Sequence, residues 1–500
     1  MPRGPRKLTV RFGAANLTLY GGVYLLHRFL SRIGFKGAVA RQIQLVQRNN
    51  RYTTGEMLLA LVYPMILGLE RIETTQLLRQ NGVFQHLTGL PSYPDATTLR
   101  RFLLRVAPTA VPKLRALHDR FLHRLTVRPQ PPPRVIFDVD STVLVVYGRQ
   151  EQARIGYNPI KRGRPSYHPL LCFEGQSRDF WHGELRPGDA PTASGVFDLL
   201  NACFAKVPAG VRSIIVRADK GFYDHGLVEW LETQKAGFVI VARLTGPIKR
   251  RLAHLRYTTP SRGVEVAEFR YQPTRWRRNY RFAVIRRLQP EEPSEQLTLF
   301  KLGRYHYQVL VTNLTLQPLN LWRFYNDRAG IELIIRQLKG DYALGRIPTR
   351  HFFANEAYFH LLLLAYNLIN WFKRLCLPPA FRNATLQTLR EQILLMPVQL
   401  VRTGNRSRLN LPAAGRRQAA WLHALRTIPL SGLKWLFFTP DSGLTFCCCV
   451  VLSVPAFIAM VRSTWSMRIH PANRVRLTPF AAVKYRGYWF WIDDREGPQN

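Results

Sequence analysis

Apolar residues recur every three to four positions through the first quarter of the chain, which is the spacing of amphipathic helices. The stretches with the clearest helical period are Leu17–Ile33, Gly55–Leu69 and Thr97–Val106. A proline-rich segment that includes Pro129 and Pro131–Pro133 follows, and it cannot continue a helix. The pattern therefore predicts a helical N-terminal domain over residues 1–130 that ends at a linker.

Beyond the linker, short continuous apolar runs typical of buried strands alternate with helical stretches. The runs that predict strands are Val135–Tyr147, Ser166–Phe173, Ser213–Arg217 and Phe238–Arg243. The helical stretches between them include Thr192–Phe204 and Leu227–Ala236. Alternation of this kind indicates an α/β core, and we assign its first part to residues 134–242.

Residues 243–312 interrupt the alternation with β-like runs such as Val264–Tyr271 and Tyr280–Leu288. We predict that this region is a basic, all-β insertion into the core. Long helical patterns return over residues 313–425, which we interpret as the second part of the core. Residues 426–500 differ in composition from everything before them, and we expect an atypical tail that could be read-through beyond the native end.

The net charge of the chain indicates what kind of partner it binds. The 500 residues include 72 Lys and Arg against 31 Asp and Glu, which gives a net charge of +41, while 46% of residues are hydrophobic. A chain this apolar is expected to fold. A folded protein this basic repels itself unless a polyanion neutralises it, and the usual polyanion is nucleic acid. Acidic substrates and anionic membranes are weaker candidates.

Two regions hold much of the basic excess. Residues 1–134 contain 21 Lys and Arg against five acids, and residues 243–290 contain 13 against two. In the first region, a helix predicted to begin near Asp95 carries Arg100 and Arg101. This helix would suit a helix-turn-helix-like contact with DNA, and a solvated basic face on a structural bundle is the open alternative.

Cysteine and membrane signals are weak. None of the six cysteines has the spacing of a zinc site, so a reducing cytoplasm is the expected compartment. Only Phe446–Met460 resembles a membrane segment. At about 15 residues, with Pro455 inside, this run is short for a membrane span. We expect a cytoplasmic protein without a membrane partner.

Acids inside apolar strands are costly and therefore informative in a chain this basic. Asp138 and Asp140 lie two positions apart, hence on one face of a predicted strand. Asp219 follows the apolar run that begins at Ser213, at the carboxyl end of a second strand. Ligands of open α/β sheets bind at such ends. Each of these acids taken alone could instead serve in a turn or cap.

A third acid, Glu332, lies in a stretch that predicts one continuous helix over Tyr325–Lys339. At about 100° per residue, one face of this helix carries Glu332 among polar and basic residues, namely Tyr325, Arg328, Arg336 and Lys339. The alternative is a solvated stripe with an Arg328–Glu332 pair. Carboxylates on two strands and a helix would suit two divalent metal ions, Mg²⁺ or Mn²⁺, which can activate an attacking water or hydroxyl. The surrounding cations would hold phosphates.

The helix motif Y-x2-R-x3-E-x6-K, formed by Tyr325, Arg328, Glu332 and Lys339, resembles the signature of bacterial insertion-sequence transposases with a DDE catalytic core. Three further segments of the chain resemble that family, namely Asp140-Ser141-Thr142 as a D-x-T element, Asp219-Lys220-Gly221-Phe222, and the basic stretch Gly156–Leu171. The resemblance covers roughly residues 15–425. It is greatest to the branch whose first motif is D-x-D-x-T.

The resemblance implies an RNase H-like mixed sheet with flanking helices, interrupted by an all-β insertion and preceded by an all-α DNA-binding domain. It implies that Asp140, Asp219 and Glu332 are catalytic and hold the metal ions, with Asp138 as an alternative ligand or a second acid behind them. Residues expected to contact phosphates are Tyr325, Arg328, Arg336 and Lys339. Candidate contacts to the DNA ends are Trp276 with Arg275, Arg277 and Arg278, and Arg100 with Arg101. Packing within a hairpin is the alternative for Trp276.

The expected activity is metal-dependent strand cleavage and strand transfer in DNA transposition. The expected partners are double-stranded DNA, both element ends and target, and a second copy of the chain in a homodimer. The expected setting is the bacterial cytoplasm, in association with the nucleoid. Two alternatives stay open, a metal-dependent nuclease that does not join strands and an inactive DNA-binding relic of an element.

Overall fold

A computed structural model of the chain describes residues 15–44, 51–126, 131–158, 161–288, 305–404, 406–412, 415–430, 481–485 and 488–492. The chain divides into two compact units, Met1–Phe438 and Thr439–Asn500. The larger unit contains helices packed around one large mixed sheet. This architecture confirms the predicted mixed α/β class.

Helices dominate the N-terminal part of the larger unit. The elements are β1 (Leu17–Thr18), α1 (Val23–Arg32), α2 (Phe35–Gln42), α3 (Thr54–Leu67), α4 (Gln76–Arg79), α5 (Gly82–Thr88) and α6 (Ala96–Thr126). A capping box starts α3, in which Glu56 N donates to the Thr53 hydroxyl and Thr53 N donates to the Glu56 carboxylate. The predicted all-α composition needs one correction, because Leu17 pairs with Gln399 in a β ladder.

The part that follows the linker alternates strands and helices as predicted. Its elements are β2 (Arg134–Ser141), β3 (Leu144–Val145), β4 (Arg154–Ile155), β5 (Pro165–Tyr167), β6 (Leu170–Glu174), β7 (Phe180–Glu184), α7 (Val196–Phe204), β8 (Ser213–Ala218), α8 (His225–Thr233) and β9 (Gly237–Val241). Strands β3, β5 and β4 pair with one another in a small separate sheet. The predicted strand Val135–Tyr147 is therefore divided between the central sheet and this small one.

Residues 243–312 extend the central sheet. They contain α9 (Gly246–His254), β10 (Thr258–Ser261), β11 (Val264–Tyr271), β12 (Tyr280–Leu288) and β13 (Tyr305–Thr312). The prediction of an all-β insertion is wrong in one respect, since α9 lies within it. Strand β13 pairs with β9 through Leu310 and Val241, so these strands continue the core sheet.

The central sheet thus has nine strands, in the order β10-β11-β12-β13-β9-β8-β2-β6-β7. Strands β2, β8 and β9 run parallel to one another, and the remaining neighbours are antiparallel. Because β2 and β8 are parallel neighbours, their carboxyl ends meet at the same edge of the sheet. This arrangement determines where the acids at those ends lie.

The C-terminal part of the larger unit is again mainly helical. Its elements are α10 (Pro318–Asn326), α11 (Ala329–Gly340), α12 (Phe352–Cys376), α13 (Leu386–Leu389), β14 (Val398–Thr403), β15 (Arg406–Asn410) and α14 (Gly415–Thr427). Helix α12 is buried along most of its length and packs against α6 and α3. A single hydrophobic cluster extends from Val23 to Ile428, so the N-terminal helices share the core of the sheet domain.

The smaller unit is described only as an antiparallel hairpin. Its strands are β16 (Ala481–Tyr485) and β17 (Tyr488–Ile492), paired from Ala481 with Ile492 to Tyr485 with Tyr488. The candidate membrane segment Phe446–Met460 lies outside the described residues. Within the described part of the chain, every helix is too short or too polar to span a membrane.

Candidate active site

Asp140 and Asp219 lie side by side at the carboxyl ends of two parallel strands. Strands β2 and β8 pair in parallel up to Val139 opposite Ala218, and the two acids are the next residues in this register. Neighbouring strands are separated by about 4.8 Å. Asp219 also caps a short 3₁₀ turn, because Gly221 N donates to its Oδ1 at 2.9 Å. The fold therefore brings together two acids that are 79 residues apart in the sequence.

The Asp140 carboxylate is mostly buried, with 16% of its side chain exposed. Ser141 N donates to its Oδ1 at 2.8 Å, and Arg328 Nη2 lies 3.3 Å from its Oδ2. Burial raises the pKa of Asp140 to about 6; Arg328 opposes the rise, and the charges of Asp219 and Glu332 add to it. A desolvated acid beside two other acids is an arrangement typical of active sites.

Glu332 approaches this pair from α11, with 66% of its side chain exposed. Its Oε1 lies 4.0 Å from Arg328 Nη1, so the same guanidinium faces both Glu332 and Asp140. Arg328 is 3% exposed, and its Nη2 donates to Val139 O at 2.9 Å. Arg328 thus connects the helix that carries the third acid to the strand that carries the first.

The predicted continuous helix is wrong at Asp327 and Arg328, where α10 ends and α11 begins. The backbone tightens there, since Arg328 N donates to Tyr325 O and Ile331 N to Arg328 O, three residues back in each case. Arg328 therefore points into the protein instead of joining a solvent-facing stripe. Its burial also means that the phosphate contact predicted for Arg328 is not available in this structure.

The other members of the helix motif differ in their surroundings. Tyr325 is 8% exposed, and burial raises the pKa of its hydroxyl, with the charges of Arg328, Asp219 and Asp140 acting on it as well. Arg336 and Lys339 are exposed on α11. Partial desolvation lowers the pKa of Lys339, and the charge of Asp140 opposes this effect. Tyr325 and Lys339 therefore lie close enough to the acids to interact with them electrostatically.

A buried ion pair behind the acids was missed in the sequence. Arg217 Nε donates to Asp138 Oδ1 at 2.6 Å, and its Nη2 donates to Oδ2 at 2.8 Å. Arg217 Nη1 also donates to Phe324 O at 2.5 Å, near the end of α10. Because a buried cation neutralises Asp138, the alternative in which Asp138 is the first metal ligand is not supported. The signal that could have revealed the pair is an arginine inside an apolar strand, two residues before Asp219.

Trp276 lies in an aromatic cluster that includes Tyr223, four residues after Asp219. It is 8% exposed, and its ring centroid lies 5.1 Å from Tyr223, 5.6 Å from His225 and 5.1 Å from Tyr280. The ring thus packs against Tyr280 of the hairpin and also against Tyr223 and His225 outside it, and a DNA contact by Trp276 stays a prediction.

The arginines around Trp276 are at the surface. Arg275 adopts a left-handed backbone conformation, with φ of 71°. The Arg277 and Arg278 side chains are 77% and 74% exposed, and they lie 2.8 Å and 3.7 Å from Glu229 and Glu232 on α8. These two ion pairs are solvent-exposed, so the guanidinium groups remain accessible to an incoming polyanion.

The N-terminal candidates lie on α6. Asp95 starts this helix, and Thr98 N donates to Asp95 Oδ1 at 2.8 Å. Arg100 pairs with Glu73, whereas Arg101 is exposed and lines a polar cleft of about 410 Å³ together with Arg105. A basic surface is present here, and its contact with DNA remains a prediction.

Divalent metal ions suit these acids chemically, since carboxylate oxygens are hard ligands. A cation would also relieve the unfavourable burial of the Asp140 charge. Among the described residues, however, three or more His, Cys, Asp or Glu side chains nowhere converge closely enough to hold an ion as they stand. The carboxylate oxygens are therefore of the right chemical type for the metal. The third carboxylate, Glu332, is mostly exposed to solvent.

The model of a family described as transposase DDE domain group 1 matches residues 2–432. No protein among those with curated descriptions matches the chain. Among solved structures, the chain is similar to one described as a cryo-EM structure of the piggyBac transposase synaptic complex with hairpin DNA. That likeness has a TM-score of 0.39 and 12% sequence identity, and it covers 95% of this chain and 96% of the other.

Proposed function

The chain belongs to the family of transposase DDE domains of group 1, and from this premise we propose that it is a DNA transposase. It would bind the ends of its element, cleave the strands there and join the freed 3′ hydroxyls to target DNA. The observation that supports this most directly is the adjacency of Asp140 and Asp219 at the ends of β2 and β8. Glu332 faces them across the Arg328 guanidinium.

In this proposal Asp140, Asp219 and Glu332 would hold two divalent cations, Mg²⁺ or Mn²⁺. When bound, such ions supply charge stabilisation to the attacking and leaving oxygens of a phosphodiester. Arg328 would keep Asp140 oriented through the bond that it makes to Val139 O. The ordered Asp219 carboxylate, fixed by Gly221 N, would need no reorganisation before it binds a cation.

Positive charge would bind the DNA around these acids. Arg336 and Lys339 extend from the helix of Glu332 and are exposed, so we assign them to phosphates near the scissile bond. The exposed arginines next to Trp276 and those on α6 would bind more distant phosphates. A homodimer is part of the proposal because two element ends must be joined in one reaction. The bacterial insertion-sequence origin likewise remains part of it.

The acids are tested by removing each charge while the shape of its side chain is kept. Asp140→Asn, Asp219→Asn and Glu332→Gln are each expected to abolish cleavage of labelled duplex DNA that carries the sequences flanking the reading frame. Asparagine can still accept the Gly221 N–H, so the cap at position 219 survives. Binding of the same duplex, measured by anisotropy without metal, should change less than about twofold, since the acids do not attract phosphates.

The matched control is Asp198→Asn, which removes an exposed acid of α7 and should leave cleavage intact. Cleavage that persists in all three acid variants would contradict the proposed site. Cleavage without any joined product would instead indicate the alternative nuclease, and an inert wild-type protein that still binds duplex would indicate a relic.

A further inference from the structure

Three large side chains within residues 147–157 are unusually exposed. Tyr147 is 72% exposed, Ile155 63% and Tyr157 78%, and they are the three most exposed large hydrophobic residues in the described part of the chain. The next most exposed is Phe353, at 56%. Single exposed hydrophobic residues are ordinary, whereas a cluster of them marks an interaction surface.

The fold holds this segment in place, so the exposure does not come from a loose loop. Glu151 N donates to Arg350 O at 2.8 Å, and the Glu151 carboxylate accepts from Phe352 N at 2.9 Å. Tyr167 of β5 is fully buried, and its hydroxyl donates to Glu151 O at 2.7 Å. The small sheet is therefore tied to the core. Strands β3 and β4 both pair antiparallel with β5, which brings the segments that carry Tyr147, Ile155 and Tyr157 together while these side chains stay exposed.

The segment itself is basic. Residues 144–167 contain five basic side chains, which are Arg149, Arg154, Lys161, Arg162 and Arg164, and a single acid. Arg154 is paired with Asp189 at 3.1 Å, so the basic side chains relevant to an anion are Lys161, Arg162 and Arg164. That acid, Glu151, is already engaged by His351 and Phe352. The Lys161 ammonium lies 5.1 Å from the centre of the Tyr147 ring. Its hydrogen bond to the Tyr147 hydroxyl and the charges of Arg164 and Arg346 lower the pKa of that hydroxyl.

We infer that this aromatic surface, consisting of Tyr147, Ile155 and Tyr157 with Lys161, Arg162 and Arg164, binds unpaired DNA next to the active site. The inference rests on the proposed function, because it assumes DNA at the acids. Aromatic rings stack on the faces of unpaired bases while cations bind the adjoining phosphates. A base pair within a duplex hides those faces, so duplex binding through phosphates would not need exposed rings.

The chain path places this surface within reach of a strand held at the acids. Strand β2 ends just after Asp140, and Tyr147 follows Asp140 by seven residues, which is at most about 25 Å of extended chain. Arg346, whose charge acts on the Tyr147 hydroxyl, follows shortly after the helix of Glu332. The surface thus follows the strand of Asp140 closely in sequence, and Tyr147 is influenced by Arg346, which lies just beyond the helix of Glu332.

The test uses the full chain without metal, so that binding is separated from cleavage. The probe is a duplex with a six-nucleotide single-stranded overhang that contains 2-aminopurine, a base whose fluorescence falls when it stacks. The double variant Tyr147→Leu with Tyr157→Leu keeps apolar side chains and removes both rings. The matched double variant with Phe at both positions keeps the rings.

Wild type and the Phe variant should quench the overhang fluorescence, and the Leu variant should not. The Leu variant should also bind the overhang probe at least about tenfold more weakly, as expected for the loss of base stacking. Its affinity for a blunt duplex should be unchanged. Phe197→Leu, which removes a partly exposed ring on α7, should behave as wild type.

Two results would overturn the inference. The first is equal quenching and affinity in the Leu and wild-type proteins while blunt duplex is bound normally. The second is a wild-type dimer that the Leu variant dissociates, in sedimentation, without any change in overhang binding, since the surface would then join two copies of the chain. A wild-type protein that binds neither probe would instead overturn the proposed function, on which the inference depends.

Discussion

At the scale of single residues, Arg217 connects three elements at the back of the active site. It is 1% exposed, and its guanidinium binds the Asp138 carboxylate through two nitrogens and Phe324 O through the third. The planar fork of arginine suits this two-pronged contact, which the single ammonium of lysine cannot reproduce. Burial makes the pair sensitive to the loss of either partner, because one charge would then be left unpaired.

Arg217→Met should therefore lower the free energy of unfolding by about 3–5 kcal/mol, measured by urea denaturation. Arg217→Lys should recover only part of the loss. The double variant Asp138→Leu with Arg217→Met removes both charges and should recover most of it, since no charge then stays buried alone. A single variant as stable as wild type would show that the pair contributes nothing to the fold.

His27 on α1 supplies a pH dependence of stability. Its Nδ1 lies 2.8 Å from the Tyr63 hydroxyl, and burial, with the charge of Lys36, lowers its pKa to about 4. Because this folded-state pKa lies below the ordinary value near 6.5, protons favour the unfolded chain. The contribution of His27 is complete above pH 6.5, declines as the pH falls, and is lost by about pH 4.

His27→Gln should remove that part of the pH dependence. Between pH 7.5 and pH 4.5 the wild type should lose about 1–3 kcal/mol more unfolding free energy than the variant, in urea titrations at both pH values. The other buried histidines contribute equally to the change in unfolding free energy of both proteins, so their contribution cancels when the two changes are subtracted. Parallel losses in the two proteins would contradict the role assigned to His27.

At the scale of elements, the junction of α10 and α11 determines how the third acid meets the first two. The junction is fixed by Arg328, which donates to Val139 O and lies 3.3 Å from Asp140 Oδ2. Arg328→Met should reduce strand cleavage by about tenfold to a hundredfold, as expected for the loss of one or two charged hydrogen bonds. Arg328→Lys keeps the charge but loses the fork, and it should restore activity only in part.

Affinity for duplex DNA should change little in the Arg328 variants, because the guanidinium is buried. Arg336→Gln, an exposed position on α11, is the control and should weaken binding while leaving the cleavage of bound DNA nearly unchanged. A large loss of duplex affinity in Arg328→Met, with normal cleavage at saturating DNA, would contradict the positioning role.

The local hydrophobic pattern predicted most helices and strands. It failed where packing against distant segments determines how far an element extends. The strands Val264–Tyr271 and Tyr280–Leu288 have the predicted bounds, since alternation is a local signal. The clearest helical period in this region covers only Thr97–Val106, yet α6 continues to Thr126 because it packs along α12. Tertiary packing of this kind overrides local propensity.

The candidate catalytic acids could be identified from the sequence, whereas the residues that support them could not. An acid in an apolar strand is conspicuous in a chain with so few acids, so Asp140 and Asp219 could be selected from the sequence. The strand register that makes these two acids neighbours could not be predicted from the sequence. Arg217 was missed because one arginine among 72 basic residues is inconspicuous until its burial is known.

At the scale of the whole molecule, the charge of +41 predicts how DNA binding responds to salt. Each phosphate contact should contribute about −0.9 to the slope of log affinity against log salt concentration. Replacing Arg275, Arg277 and Arg278 together with Gln should make that slope shallower by about 2–3. Arg212→Gln, at the amino end of β8 and so remote from Asp219, should leave the slope unchanged.

Equal slopes for wild type and the triple variant would mean that the surface around Trp276 does not bind DNA. A slope near zero in the wild type would be harder still to reconcile with the proposal. In that case the excess positive charge would serve another partner, and the acids at the carboxyl ends of β2 and β8 would lack their substrate.

Strand joining is the measurement that tests the central claim most directly. Purified protein would be incubated with Mg²⁺, a target plasmid and labelled duplexes that carry the sequences flanking the reading frame, and the products would be sequenced. We predict that the wild type joins the 3′ ends of those duplexes to the plasmid, and that Asp219→Asn binds the duplexes but joins none. Joined products from Asp219→Asn, or cleaved ends that the wild type never joins, would contradict the account.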